Sequence, residues 1–406
     1  MTEAIAADGR LTDWQERVRE AAAAKTLLRI VGAGSKDFYG EPPIGERFET
    51  SAYSGVIDYD PAELVVTARC GTTLAELERT LAGGRQMLAF EPPGFGPAAS
   101  PARAVAASAN ASGGLSAAGA AASGSDKHGP ATRPGTLGGV IAAGLAGPRR
   151  PWGGAVRDSV LGVRIIDGQG EDLSFGGRVM KNVAGFDVSR VIAGSLGTLG
   201  VITEVSLKCV PVPVSEQTRV FELSAPDAIT RCNQWGGRPL PISATCWHDR
   251  RLYVRFSGAE PAIASAARKM GGELFASTRV GGAADADEFW ASIRDQRHPF
   301  FSAPPSDVSL WRLSVRSSAP VDAHGDAQLI EWGGALRWVM AAVDAAESLR
   351  DSARSHGGHA SCFRGGAAAA GVFQPLSPAL ATIHQRLKAV FDPAGILNPG
   401  RMYAGL

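Results

Sequence analysis

The stretch from Leu27 to Lys36 constrains this chain most. An apolar run, Leu27-Leu-Arg-Ile-Val31, stops on Gly32 and opens into Gly32-Ala33-Gly34-Ser35-Lys36. A buried strand that ends in closely spaced glycines leads into backbone that turns sharply or approaches another body closely. A dinucleotide-binding βαβ unit is excluded on two counts. Asp37 stands where the third glycine of G-x-G-x-x-G belongs, and Pro42-Pro43 follows where the helix would start. A compact, non-helical turn instead points consecutive N–H groups inward, forming a nest for an anion such as a pyrophosphate. For this loop taken alone, an ordinary tight turn is the alternative.

A second segment changes that balance. Gly135-Thr136-Leu-Gly138-Gly139-Val-Ile-Ala-Ala-Gly144-Leu-Ala-Gly147 keeps large side chains away over a long stretch. Close packing between elements is one reading. A backbone-lined groove for a large planar or phosphorylated cofactor is the other, and two such segments in one chain favour it. Glycine is 50 of 406 residues, above the usual ~7 %. No G-x-y period runs through it, which excludes collagen.

Around these segments the pattern alternates strands and helices. Residues 12–24 read as a helix capped by Thr12, with Leu11, Trp14 and Val18 on one face. Residues 56–59 and 64–68 read as strands around an Asp60-Pro61 turn. Thr73-x-x-Glu76 is a capping box opening a helix that Gly83-Gly84 closes. Residues 87–90 read as a strand. Residues 160–167 and 171–175 read as a hairpin turning at Gly168-Gln-Gly170. Residues 183–193 are helical in part, 200–208 form a strand, and Pro211 and Pro213 mark a boundary. Residues 98–131 are mostly Ala, Ser and Gly, a composition that buries too little surface to offset its ordering entropy. They read as a mobile insertion, with a partly helical Ala-rich arm as the alternative. An amphipathic helix carrying Leu380, Ile383, Leu387 and Val390 precedes a Pro/Gly-rich tail.

Charge and cysteine usage remove whole classes of function. Lys+Arg total 41 against Asp+Glu 40, so nothing favours a nucleic-acid binder. Cys70, Cys209, Cys232, Cys246 and Cys362 are scattered, with no C-x-x-C, which fits reduced thiols in a cytosolic chain and no cluster or zinc site. No run of 18 apolar residues spans a membrane, and the first residues lack the pattern of a secretion signal.

The glycine segments and the motifs C-terminal to them resemble the vanillyl-alcohol oxidase/PCMH-type FAD-binding family. The resemblance rests on Val31-Gly-Ala-Gly-Ser-Lys36, Thr136-Leu-Gly-Gly139 and Trp152-Gly-Gly-Ala-Val-Arg157-Asp158-Ser-Val-Leu-Gly162. It continues in Lys181-Asn-Val-Ala-Gly-Phe-Asp187, Gly194-Ser-Leu-Gly-Thr-Leu-Gly-Val-Ile-Thr203 and Phe391-Asp-Pro-Ala-Gly-Ile-Leu-Asn398-Pro-Gly400-Arg401. It covers 27–213 without the insertion, plus the tail. Within the family it is similar to the FAD-binding subunits of glycolate oxidases, above all in Gly144-Leu-Ala-Gly-Pro-Arg-Arg-Pro-Trp152 and Val179-Met-Lys-Asn-Val-Ala-Gly185. The 98–131 insertion departs from the usual length of those subunits.

The resemblance implies an α+β chain. A two-subdomain FAD-binding domain would occupy 1–213, a cap-like α+β domain 214–365, and a C-terminal segment, 366–406, would return to the FAD domain. It implies that Gly32, Ala33, Gly34, Ser35 and Lys36 cradle the pyrophosphate, with Thr136, Gly138 and Gly139 approaching from the other side. Gly144 and Asp158 would lie along the flavin arm, Val201 and Ile202 would offer backbone to the adenine end, and Asn398 would approach the flavin ring. The first loop holds no His, so the FAD is expected to be non-covalent. The implied partners are a catalytic flavoprotein subunit, an iron–sulfur subunit and a small 2-hydroxy acid such as glycolate. The implied location is cytoplasmic, or peripheral at the inner membrane face through those partners.

No catalytic residue emerges from the sequence. His356-Gly-Gly-His359 lacks a third ligand and reads as loop. Arg364 sits in a reachable glycine context but carries no assigned role. Trp235, Trp247, Trp290, Trp311 and Trp338 read as core or interface, and 214–364 shows no evident base. Three functions remain open: a flavoprotein subunit of a multi-subunit 2-hydroxy-acid dehydrogenase, a self-contained dehydrogenase of D-lactate-like type, and a non-catalytic scaffold subunit.

Overall fold

The structure is a computed structural model that describes residues 2–95, 135–177, 187–275, 283–302, 308–321, 328–365 and 371–406. The 98–131 insertion and most of the Lys181–Asp187 motif lie outside the described residues.

The chain is α+β and is organised by two antiparallel sheets. A parallel pair, β1 (Leu28–Val31) with β2 (Glu46–Glu49), stands beside the first of them. That sheet is built from β3 (Val56–Asp60), β4 (Val65–Arg69), β6 (Val160–Ile166), β7 (Asp172–Gly176) and β8 (Val201–Lys208), in the order β3-β4-β8-β6-β7. The turn between β6 and β7 is held by Asp167, whose Oδ1 accepts from the N–H groups of Gln169 and Glu171 at 2.9 Å each. One apolar core joins these elements. It includes Leu11, Trp14 and Val18 from the first helix, Leu74, Leu77 and Leu81 from the helix Leu74–Gly83, and Val201, Val205 and Leu207 from β8.

The second sheet has eight strands. They are β10 (Ser215–Glu222), β11 (Ile242–His248), β12 (Arg251–Gly258), β13 (Glu273–Leu274), β14 (Val308–Ser314), β15 (Gln328–Glu331), β16 (Leu336–Ala342) and β17 (His359–Arg364). Their spatial order is β13-β10-β12-β11-β15-β16-β14-β17. Trp247, Trp311 and Trp338 lie in its strands and Trp235 and Trp290 in helices, and none of the five is more than 5 % exposed, as expected of core residues. The two sheet systems are tied by charge. Glu91 accepts from Arg149 Nε at 3.3 Å and Arg255 Nη2 at 2.8 Å, and Arg149 Nη2 reaches Glu216 at 2.6 Å. Burial opposes ionisation of Glu91, but Arg255, Arg149 and Arg294 together hold its carboxyl below the usual range.

Three local expectations are corrected. The first helix runs over Thr2–Ala24, so Thr12 lies inside it rather than capping it. Gly9 is tolerated there because a single interior glycine costs only about 1 kcal/mol. The strand expected over 87–90 shrinks to β5 (Gln86–Met87), because its partner β9 (Val210–Pro211) is two residues long and Pro211 has no N–H. The helix Pro378–Phe391 turns its expected apolar face outward. Leu380, Ile383 and Val390 are exposed, whereas Leu387 of the same expected face is half-buried against the core, and Lys388 and Phe391 are buried. Lys388 is drawn inward by an ion pair with Asp392 at 2.7 Å and by the carbonyls of Thr198 and Leu397, each at 2.8 Å.

That inward turn fixes the route of the tail. Asp392 accepts from the N–H groups of Ile396 and Leu397 at 3.1 and 2.8 Å. Leu397 then bridges in parallel to Leu28 of β1. The tail therefore completes β1 on the side that β2 leaves open.

Candidate functional site

The loop after β1, the start of the helix Leu137–Ala143, the 196–200 loop and the tail converge on one open cavity. Thr136 caps the helix, its Oγ1 accepting from Gly139 N–H at 3.4 Å. Gly34 adopts φ +70°, the left-handed region that folds the first loop back on itself. The backbone N–H groups of Gly32, Ala33, Gly34 and Ser35 make no hydrogen bond to a described residue. Consecutive N–H groups that the protein leaves unanswered, on a loop that lines an open cavity, form a nest that fits an anionic ligand.

The far wall is built with equal care. Asn398, in the left-handed region at φ +41°, accepts from Ile30 N–H at 2.8 Å and donates through Nδ2 to the Leu196 carbonyl at 2.6 Å. Gly197 lets this happen, because a Cβ there would stand 2.7 Å from Asn398 Nδ2. Arg401 is pinned by the carbonyls of Glu41 and Asp37. Arg29 pairs with Asp37 at 2.5 Å, while its buried Nε has no partner and lies in the cavity wall. That one open donor on a cationic group suits an anionic ligand.

The structure brings Gly32, Ala33, Gly34, Ser35, Lys36, Thr136, Gly138, Gly139, Ile202 and Asn398 to this cavity. It does not bring Gly144, Asp158 or Val201 there. Gly144 ends the helix with φ +63° and packs on Gly194, whose Cα would stand 2.9 Å from an added Cβ. Asp158 caps a short surface helix, its Oδ2 accepting from Ala155 N–H at 2.9 Å. Val201 points into the core of the five-stranded sheet, fully buried. Arg29, Asp37, Leu196, Gly197, Gly200 and Arg401 line the cavity without having been singled out as site residues. Leu196, Gly197, Gly200 and Arg401 did stand inside motifs quoted for the family.

The eight-stranded sheet carries a group that sequence reasoning missed. Glu331 is buried, and burial pushes its carboxyl up to about 8, although Trp338 Nε1 donates to it at 2.8 Å and Arg312 lies near. Perturbed carboxyls of this kind cluster at functional sites. Arg364 stacks on Phe38, Phe95 and Phe363 at 4.7, 5.2 and 5.8 Å, and burial lowers it to about 10. His356 caps the helix Ala346–Ser355 and bonds the Ser352 carbonyl at 2.8 Å, a structural role as expected for that loop. Among the described residues no group of three or more His, Cys, Asp or Glu is placed to hold a metal, and no helix is long and apolar enough to cross a membrane.

A glycine cradle beside the five-stranded sheet, closed by a returning tail, fits the class of FAD-linked oxidoreductases. Residues 4–130 match the family described as FAD binding domain, and 368–402 match the C-terminal domain of FAD linked oxidases. The chain is 42 % identical over 392 residues to the glycolate oxidase subunit GlcE of Escherichia coli, covering 96 % of this chain and 97 % of that one. It belongs to the GlcE family of FAD-binding glycolate oxidase subunits. It is also 26 % identical over 323 residues to a D-lactate dehydrogenase of Archaeoglobus fulgidus, covering 67 % of this chain and 71 % of that one. Over 83 residues it is 40 % identical to the glycolate oxidase subunit GlcD of Bacillus subtilis, 20 % of this chain and 18 % of that one. A solved structure of alkyldihydroxyacetonephosphate synthase shares the fold, with TM-score 0.60 and 16 % identity over 95 % of this chain and 74 % of that one. The chain binds FAD, and the family resemblance read from its motifs is borne out.

Proposed function

We propose that this chain is the FAD-carrying subunit of a multi-subunit enzyme that oxidises glycolate to glyoxylate. The observation that carries this is end-to-end similarity to GlcE combined with the glycine cradle. When bound, FAD supplies the two-electron acceptor. In this reading Gly32 to Lys36 and Thr136 to Gly139 hold the pyrophosphate, and Asn398 fixes the wall beside the flavin ring. No His is among the described residues that line the cavity, which supports non-covalent attachment. The chain divides into a FAD domain at 1–213, a cap at 214–365 and a returning segment at 366–406. A catalytic flavoprotein subunit and an iron–sulfur subunit complete the enzyme on the cytoplasmic side, at the inner membrane face where those partners hold it.

The experiment is a steady-state assay with an artificial electron acceptor, on the FAD-loaded chain alone and then with its partner subunits. Glycolate turnover is expected only from the assembly. Full turnover by the lone chain would replace this reading with a self-contained dehydrogenase, which the similarity to D-lactate dehydrogenase favours as the second choice. Acid precipitation is expected to release all the flavin.

A further inference from the structure

The helix Pro378–Phe391 carries Leu380, Ile383, Leu387 and Val390 at the alternating three-and-four spacing of a seam that packs against another helix. Three of the four face outward: Leu380, Ile383 and Val390 are 48, 52 and 68 % exposed. Leu387 belongs both to this stripe and to a groove beside it, whose apolar walls are Val191, Leu199, Met402 and Leu406. Val191 is itself 43 % exposed. Exposed apolar side chains are ordinary when scattered singly, but a stripe that runs into a groove marks an interaction surface.

Two polar features define what this surface takes. Ser195 lines the groove at 5 % exposure, and its buried Oγ has no hydrogen-bond partner. The other polar side chains of the groove are already bonded. Lys388 holds Asp392 and two carbonyls, His384 Nδ1 meets the Leu380 carbonyl at 2.8 Å, and Thr198 Oγ1 donates to the Ser195 carbonyl at 2.8 Å. A buried hydroxyl left unanswered is costly, so Ser195 favours an occupant that brings it a partner. The second feature is charge. Arg386 lies three residues from Ile383 and four from Val390, so it flanks the stripe. It is exposed and makes no hydrogen bond or ion pair with a described residue. The helix contains no Asp or Glu, and none is among the described residues that line the groove. A second copy of this chain, paired through the same helix, would therefore bring no answering charge from it. One open cation also falls short of the clusters of about four to eight that hold a lipid surface. An apolar seam flanked by an acidic residue complements both features.

We propose that this face docks an amphipathic helix of a partner subunit, with its apolar stripe over Leu380, Ile383 and Val390, an Asp or Glu answering Arg386, and a polar group reaching Ser195. The proposal deepens the function above and rests on its multi-subunit reading. It also places the partner against the cofactor site. Leu196 and Gly197 line the FAD cavity while Ser195, Thr198 and Leu199 line the groove, so one loop walls both, and a partner seated here touches it.

The test co-expresses the full chain with the catalytic flavoprotein and iron–sulfur subunits and reads assembly by size-exclusion chromatography. Flavin content and unfolding midpoint are measured on each variant. Ile383→Asp and Val390→Asp alter exposed side chains and are expected to weaken assembly roughly tenfold or more, at unchanged flavin content and midpoint. Arg386→Glu is expected to weaken it at low salt more than at high salt. Leu274→Asp, at a site 53 % exposed on β13, is expected to assemble like wild type. A benzophenone amino acid in place of Ile383 is expected to cross-link to a partner helix with an Asp or Glu beside its apolar stripe. Wild-type assembly of both Asp variants, or a cross-link to a segment without an acidic residue, would overturn the surface and leave the multi-subunit function standing. A lone chain that dimerises through Ile383, or that sediments through it with phosphatidylserine vesicles, would give the face to a second copy or to lipid and overturn the partner. Failure of the wild type to assemble with either subunit would remove the function above, and this surface with it.

Discussion

Asn398 and Leu196 meet through a 2.6 Å hydrogen bond, and both hold left-handed backbones, φ +41° and +51°. Two strained residues, 202 positions apart in the chain, are thus welded at the wall of the FAD cavity. Strain of this sort persists only where the surroundings over-determine it. Asn398→Leu would leave the Leu196 carbonyl and the Ile30 N–H unanswered, at about 1–3 kcal/mol each. The variant is expected to melt earlier and to purify with less flavin per chain. Equal flavin content would remove Asn398 from the cofactor site.

Gly34→Val tests the cradle itself. A Cβ at Gly34 meets only Asp37 Oδ2, at 3.6 Å, so the protein alone has room for it. The left-handed backbone costs an L-residue roughly 1–2 kcal/mol, more when β-branched. FAD is expected to be lost far beyond that change in apo-protein stability, because the branched methyls enter the ligand's space. A flavin-to-protein absorbance ratio equal to wild type would sink the loop assignment.

Glu331 predicts a pH signature. Its carboxyl titrates near 8 in the folded chain, above the usual carboxylate value. The folded state therefore holds more protons between the two values, and its stability falls as pH rises through that window. Glu331→Gln removes the titration. The variant is expected to gain on wild type from about pH 5 to pH 8, by about 1.4 kcal/mol for each pH step of one across that window, and then to level off. Denaturant unfolding across that range checks it. Parallel pH profiles would show that Glu331 is ionised throughout.

Lys388→Met breaks a buried pair and leaves Asp392, whose side chain is 0 % exposed, without its cation. Removing one member of such a pair costs about 3–5 kcal/mol. Because Lys388 also binds the Thr198 and Leu397 carbonyls, the loss is expected to loosen both the 196–200 loop and the tail. Unfolding midpoint and FAD affinity should fall together. A stability loss with unchanged FAD affinity would separate this clamp from the site.

The FAD cavity is legible in the sequence because glycine marks backbone proximity, and Gly32, Gly34, Gly138 and Gly139 all line it. Gly144 carries the same mark for a different reason, helix packing against Gly194. Sequence does not separate the two. Arg312 and Glu331 stay hidden because strand register alone brings them together. Arg312 sits in Leu310-Trp-Arg-Leu313, which reads as a half-buried strand with its charge in water. The helix Pro378–Phe391 misleads because Leu380, Ile383 and Val390 of its apolar stripe point outward, and a buried Lys–Asp pair overrides periodicity.

The bridge from Leu397 to Leu28 has a consequence for the order of events during synthesis. The strand beneath the pyrophosphate loop is made early, yet Ile30 N–H finds its partner 368 residues later, on Asn398. Until Ile396 to Arg401 emerge, that strand lacks one neighbour and the cavity lacks a wall. Flavin capture therefore waits on a segment made 368 positions after that strand, and a nascent polypeptide still missing it has no complete berth for the cofactor.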